Sequence, residues 1–185
     1  MTLLDLKQTI LDYVPLLPQE EADRCIMLRF LEEHEDAACR SNLLGHFTAS
    51  AWIVNPVRDR VLMIYHNIYQ AWTWPGGHAD GETDLLQTAI REAEEEAGVR
   101  LSPAADQKPF SLEILPVLAH IRHGEYVAPH LHMNLTYLFQ LEESVPLRSN
   151  PSENKGVRWR SVGDILADRT EPHMHVIYKK LIERM

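Results

Sequence analysis

"REAEEEAG", residues 91–98, sets Glu92, Glu94, Glu95 and Glu96 within five consecutive positions of what reads as one helix. Like charges four residues apart on a helix repel by about 0.2–0.5 kcal/mol per pair. The run is therefore mildly unfavourable unless something positive meets it, and a solvated acidic face is the commonest reading of such runs. On a helix advancing about 100° per residue, Glu92, Glu95 and Glu96 fall within an arc of roughly 100° while Glu94 points away. Leu86, Ile90, Ala93 and Ala97 form a neighbouring apolar arc. The helix is expected to pack on a sheet through that arc, with its carboxylate edge open at the boundary. Such an edge suits a hard divalent cation, because Mg²⁺ prefers oxygen ligands, keeps several waters and is usually held by a few carboxylates together with substrate phosphates. Arg91 can orient a carboxylate or touch phosphate; alone it would be a surface ion-pair partner.

The flanks set the limits of this helix. Asp84 and Gln87 stand at capping-box spacing, so it should begin near Thr83 or Asp84, and Gly98 fits the left-handed position that closes helices. Before it runs "WTWPGGH", residues 72–78. Gly76 and Gly77 would let backbone approach phosphate or metal closely, or simply make a tight turn. His78 is a candidate phosphate contact or a loop cap. Trp72 and Trp74 could stack a base, although aromatics at alternate strand positions more often belong to the core. Further upstream, "FTASAWIV" and "RVLMIYH" read as two strands joined by the turn-like "NPVRD". The first 40 residues read as helices, with Pro18 at the start of the second. Downstream, "FSLEILPVLAHIRH" and "HLHMNLTYLFQLE" read as long strands around "GEYVAP", "GVRWRSV" as another strand, and the last residues as two short helices. Met174, Ile177, Tyr178, Leu181 and Met185 recur at helical spacing and should form the buried face of the final one.

The bulk composition narrows the function classes. With 185 residues, 45% hydrophobic and 24% charged, the chain suits one globular domain with a small extension. A formal net charge of −9 argues against a broad double-stranded nucleic-acid binder or membrane-surface binder, which would present basic residues to phosphate. Cys25 and Cys39 are too few for a disulfide scaffold, the N-terminus lacks the basic start and apolar core of a signal peptide, and no apolar run reaches the roughly 18 residues of a membrane span. The cytoplasm is the expected compartment. His130 and His132 lie on one face of a strand, which raises the thought of a zinc site completed by His120 or His123. Without a cysteine framework, substrate contacts or hairpin packing are the favoured reading. His173 and His175 diverge on a helix and read as surface decoration.

The stretch Gly77–Val99 resembles the signature box of the Nudix hydrolases, G-x5-E-x7-R-E-U-x-E-E-x-G-U with U apolar. Arg91, Glu92, Ala93, Glu95, Glu96, Gly98 and Val99 match its second half. In its first half Thr83 occupies the early glutamate position and Glu82 stands one residue ahead, so the role of Glu82 is open. "FTASAWIVNPVRDRVLMIYH" resembles the family's opening strands and "NKGVRWRSVGDIL" the strand and short helix near its end. The resemblance implies an α/β fold, an α/β/α sandwich around a mixed sheet. It is expected over residues 43–170, with a helical extension over 1–42 and a helix packed on the domain over 171–185. It further implies Mg²⁺- or Mn²⁺-dependent hydrolysis of a pyrophosphate linkage in a nucleoside diphosphate derivative, with Glu92, Glu95 and Glu96 as metal ligands and Glu95, Glu96 and Arg91 as catalytic groups. Gly76, Gly77, His78, His130 and His132 are expected to contact substrate. The proton from water would go to Glu95, Glu96, Glu125 or Glu153. The alternative is a catalytically silent nucleotide-binding domain that regulates a partner. The N-terminal helices either serve a homodimer or cap the sheet.

Overall fold

The computed structural model describes residues 2–122 and 124–185. Met1, at the head of the expected extension, and His123, one of the two imidazoles considered for a zinc site, lie outside the described residues. The chain divides into two compact units, one made of residues 1–50, 77–89 and 106–137, the other of 51–76, 90–105 and 138–185.

In the first unit, α1 (Leu3–Leu11) opens on a reciprocal cap. The Thr2 hydroxyl accepts the Asp5 N–H at 3.3 Å and the Asp5 carboxylate accepts the Thr2 N–H at 2.7 Å, which satisfies two of the donors a helix start leaves orphaned. α2 (Pro18–Glu33) has proline at its first turn, where the missing N–H costs nothing. The strands are the first part of β1 (Gly45–Val54), β5 (Ser111–Val117) and β8 (His130–Gln140), in the order β1-β8-β5. β5 and β8 are antiparallel, from Ser111 opposite Thr136 to Val117 opposite His130. β5 is the last strand on this path, and α2 covers it. Asp23 accepts the Ile114 N–H at 3.2 Å and Glu20 accepts the Ser111 hydroxyl at 3.2 Å, so donors at a sheet edge are satisfied that would otherwise invite another chain.

Strand periodicity sorts the side chains of this unit into two faces. Leu112, Met133, Leu135 and Phe47 are buried on one. The other is polar and equally buried: the Thr48 and Ser50 hydroxyls donate to Asn134 Oδ1 at 3.0 and 2.9 Å, Asn134 Nδ2 donates to the Thr136 hydroxyl at 3.0 Å, and Thr136 donates to Glu113 at 3.3 Å. Ser111 also bonds Glu113, and Tyr13 donates to Glu20 at 2.8 Å. Burying such groups is tolerable only because each has partners. The expected single long strand over residues 110–123 is interrupted. β5 ends at Val117, and β6 (His120–Arg122) pairs with β7 (Glu125–Val127) as a separate two-stranded sheet.

The second unit holds the end of β1, β2 (Arg60–His66), β3 (Trp72–Thr73), β9 (Asn154–Ser161), α4 (Val162–Ala167) and α5 (Pro172–Arg184). β2 pairs antiparallel with β1, β3 and β9. Trp52 anchors its core. Its ring stacks on Tyr178 at 5.8 Å and meets Trp74 edge-on at 6.1 Å, while its indole N–H lies 3.3 Å from the Met185 sulfur. Aromatic pairs of this kind add about 0.5–1.5 kcal/mol each beyond their buried area. Met174, Tyr178 and Leu181 of α5 are buried, whereas Ile177 and Met185 are half-buried. Trp74 is therefore core. Trp72 is half-buried beneath the Arg158 guanidinium, 4.1 Å from its ring centroid. His175, expected on the surface, is half-buried, its Nε2 donating to the Leu166 carbonyl at 3.0 Å and so tying α5 to the end of α4.

Candidate active site

The carboxylates of interest stand on α3 (Leu85–Ala97), whose first residues belong to the first unit and whose residues from Ile90 onward belong to the second. The loop leading into it explains Glu82. Asp80 and Gly81 take positive φ values of 50° and 91°, and the Glu82 carboxylate accepts the N–H groups of Thr83 and Asp84, each at 2.8 Å. Asp84 then accepts the Gln87 N–H at 3.2 Å and caps the helix. At the other end Gly98 has φ +70°, and a Cβ there would lie 2.8 Å from the Arg148 Cβ. The conformation and the space both demand glycine.

The buried face of α3 runs through Leu85, Ala89, Ala93 and Ala97, while Leu86 and Ile90, expected on the apolar arc, are only half-buried. Glu92 and Glu96 lie on the buried face itself, 8% and 2% exposed, and of the three glutamates expected to hold metal only Glu95 stands open to solvent. In the second unit, Glu96 Oε2 accepts the Gly76 N–H at 2.9 Å, and the Glu96 backbone carbonyl accepts a bond from Asn154 Nδ2 at 2.8 Å. Side chain and backbone of one residue are thus fixed from two directions. Arg91 lies 3.0 Å from Glu92 and 3.8 Å from Glu95. Burial drives the Glu96 pKa well above the usual carboxylate range; the Gly76 N–H opposes this, and the charges of Glu92, Glu153 and Glu95 reinforce it. An ionised Glu96 is costly here, and a cation would relieve that cost. The donors are all carboxylate oxygens, which fits a hard divalent ion. Glu153, one of the acids expected to take the proton, acts on Glu96 through its charge, whereas Asn154, at the start of β9, escapes sequence reading because nothing in "SENKGV" marks it as lying beside a helix some sixty residues earlier.

Of the residues expected to contact substrate, three form β4 (Gly76–His78); Gly76 falls in the second unit and Gly77, His78, His130 and His132 in the first. There His78, His130 and His132 gather around His46, which sequence reading overlooked. The His46 ring centroid is 5.0 Å from His78, 5.0 Å from His130 and 5.1 Å from His132, and His78 is 4.9 Å from His132. His46, Thr48 and Ser50 alternate along β1 on the same face as His130, His132 and Asn134 of β8, and only that pairing reveals the group. His120 does not join it. It sits on β6, its Nδ1 donating to the Leu118 carbonyl at 2.9 Å. Among the described residues, His46, His130 and His132 are the one set of three or more His, Cys, Asp or Glu side chains whose ligand atoms lie within 4.8 Å of one another.

The strand pair before the helix, the capped helix with its glutamates, and the later strand with its short helix are the parts of one known domain type. The family model described as the NUDIX domain matches residues 45–181; the chain belongs to this family. Among curated proteins it is 29% identical over 97 residues to the phosphatase NudJ of Escherichia coli K12, covering 51% of this chain and 54% of that protein. The chain thus spans about half the length of the curated relatives it matches. Two solved structures share the fold. A Caenorhabditis elegans Ap4A hydrolase in a binary complex aligns with a TM-score of 0.51 and 22% identity, over 72% of this chain and 93% of that one. The E. coli dihydroneopterin triphosphate pyrophosphohydrolase gives 0.55 and 14%, over 75% and 96%.

Proposed function

We propose that the protein hydrolyses a pyrophosphate linkage in a nucleoside diphosphate derivative, with Mg²⁺ or Mn²⁺ held by Glu92, Glu95 and Glu96. The observation that carries this reading is Glu96: a carboxylate 2% exposed, fixed by the Gly76 N–H and surrounded by the charges of Glu92, Glu153 and Glu95. A bound divalent ion supplies charge neutralisation for the pyrophosphate and lowers the pKa of a water. The chain's own residues divide the remaining work. Glu96 is locked and serves as the fixed ligand. Arg91 orients Glu92 and Glu95 through its two contacts and can turn a guanidinium N–H toward phosphate. The proton released by the attacking water goes to a carboxylate free of that lock, Glu95 or Glu153. The similarity to a protein named as a phosphatase agrees with phosphorus chemistry, and the unpaired Cys25 and Cys39 agree with a cytoplasmic setting.

The test is a phosphate-release screen over nucleoside triphosphates, ADP-ribose, dinucleoside polyphosphates and non-nucleotide pyrophosphates, with Mg²⁺ and Mn²⁺ supplied separately. The expected result is turnover of at least one class that requires the added ion and falls sharply in Glu96→Gln. Full turnover in both Glu95→Gln and Glu96→Gln would refute the assignment, and tight nucleotide binding without any turnover would establish a silent domain instead.

A further inference from the structure

We propose that His46, His130 and His132 form a binding site for a transition-metal dication of the Zn²⁺ class, chemically separate from the oxygen-only edge of α3. One nitrogen from each ring lies within 4.8 Å of the others. Two of the three tautomers are already arranged for it. His46 Nδ1 donates to the Asn42 carbonyl at 3.3 Å and His130 Nδ1 donates to the Ala128 carbonyl at 2.9 Å. Each of these rings therefore keeps Nε2 for a ligand, and backbone carbonyls on the opposite nitrogen are the usual support of a metal-bound histidine. His46 is 3% exposed, and its buried Nε2 has no hydrogen-bond partner. An orphaned acceptor at that depth is costly unless something fills its lone pair.

The spacing agrees with coordination chemistry. His130 Nε2 and His132 Nε2 are 3.3 Å apart, and two nitrogens at about 2.0–2.1 Å from one tetrahedral ion stand roughly 3.3 Å apart. Binding needs only that the wider separations in the group close by about 1.5 Å to the same value. A site of three imidazoles favours Zn²⁺, Co²⁺, Ni²⁺ or Cu²⁺ over Mg²⁺.

The experiment uses the untagged full chain, stripped with chelator and titrated with Co²⁺ in a large excess of Mg²⁺, so that oxygen sites are already occupied. The expected result is one equivalent of Co²⁺ with the intense visible absorption of a tetrahedral centre, displaced by Zn²⁺. Affinity should fall at least 100-fold in His130→Asn and His132→Asn and stay unchanged in Glu96→Gln. X-ray absorption on the zinc-loaded wild type should show a first shell dominated by imidazole nitrogen, a reading that needs no variant to fold. Absence of a one-equivalent complex, the same spectrum in both histidine variants, or loss of the spectrum in Glu96→Gln would each overturn the assignment. The Glu96→Gln arm also separates failure here from failure of the proposed hydrolysis.

Discussion

The carboxylate edge of α3 and the histidine group of the first unit meet the same force with opposite chemical results. Burial penalises charge wherever it stands. It pushes Glu96 up, toward the protonated carboxyl, and pushes His132 down to about 2, toward the neutral imidazole. Protonation removes the acid's capacity as a ligand, whereas deprotonation gives the imidazole its lone pair. Glu96 thus needs an incoming cation to keep its charge, while burial favours the neutral, ligand form of His132. A buried acidic edge should therefore show metal affinity that climbs with pH. The histidine group should show little pH dependence above the ordinary imidazole range.

Changing one side at a time breaks this comparison, and the largest effect is expected at the acid side. Glu96→Gln keeps the bond from Gly76 but removes the charge that would hold the ion, and kcat should fall by about 10²–10³-fold with the circular-dichroism spectrum intact. Arg91→Ala frees Glu92 and Glu95 without removing a carboxylate. Groups that only orient ligands typically matter by about 10–100-fold, and steady-state kinetics should show a loss of that size. Asn154→Ala should lower stability by about 1–3 kcal/mol in urea unfolding, since it strips a buried bond from the Glu96 carbonyl. Gly98→Ala places a Cβ at 2.8 Å from Arg148 and strains φ +70°; about 1–3 kcal/mol of stability should go with it.

The smallest effect serves as a reference outside both groups. Burial raises the Asp168 pKa, but the Thr170 hydroxyl and N–H and the Arg160 guanidinium outweigh it and hold the carboxyl at about 2. A folded pKa below the unfolded value of 3.8 gives stability that is present above that value. It is lost as pH falls from there through about 2, because the unfolded chain then binds more protons. Acid unfolding followed by tryptophan fluorescence should become shallower in that window in Asp168→Asn.

What could be read from the chain follows the same division. α3 was legible because its signals are local: Asp84 and Gln87 at its start, Gly98 at its end, and four glutamates within five positions. Which glutamates are buried was not, because a helical wheel orders side chains around an axis without saying which way the axis is turned. The actual buried face passes through Leu85 and Ala89 rather than Leu86 and Ile90, and that rotation carries Glu92 and Glu96 inward. The histidine group was half legible. The "HLH" pattern put His130 and His132 on one face, but their partners were sought in the residues nearest along the chain. Pairing between β5 and β8 stops at Val117 opposite His130, so His120 goes to a different sheet and His46, more than eighty residues away, takes the place beside them. Strand alternation predicts a face; only the order of strands in the sheet predicts its neighbours.

Manganese binding to the wild type and to Glu96→Gln, followed by electron paramagnetic resonance in the presence of a non-hydrolysable nucleoside diphosphate analogue, tests the central claim most directly. The account predicts that the wild type removes free Mn²⁺ from solution and that the single charge deletion weakens this at least tenfold. Equal binding by the two proteins would contradict it.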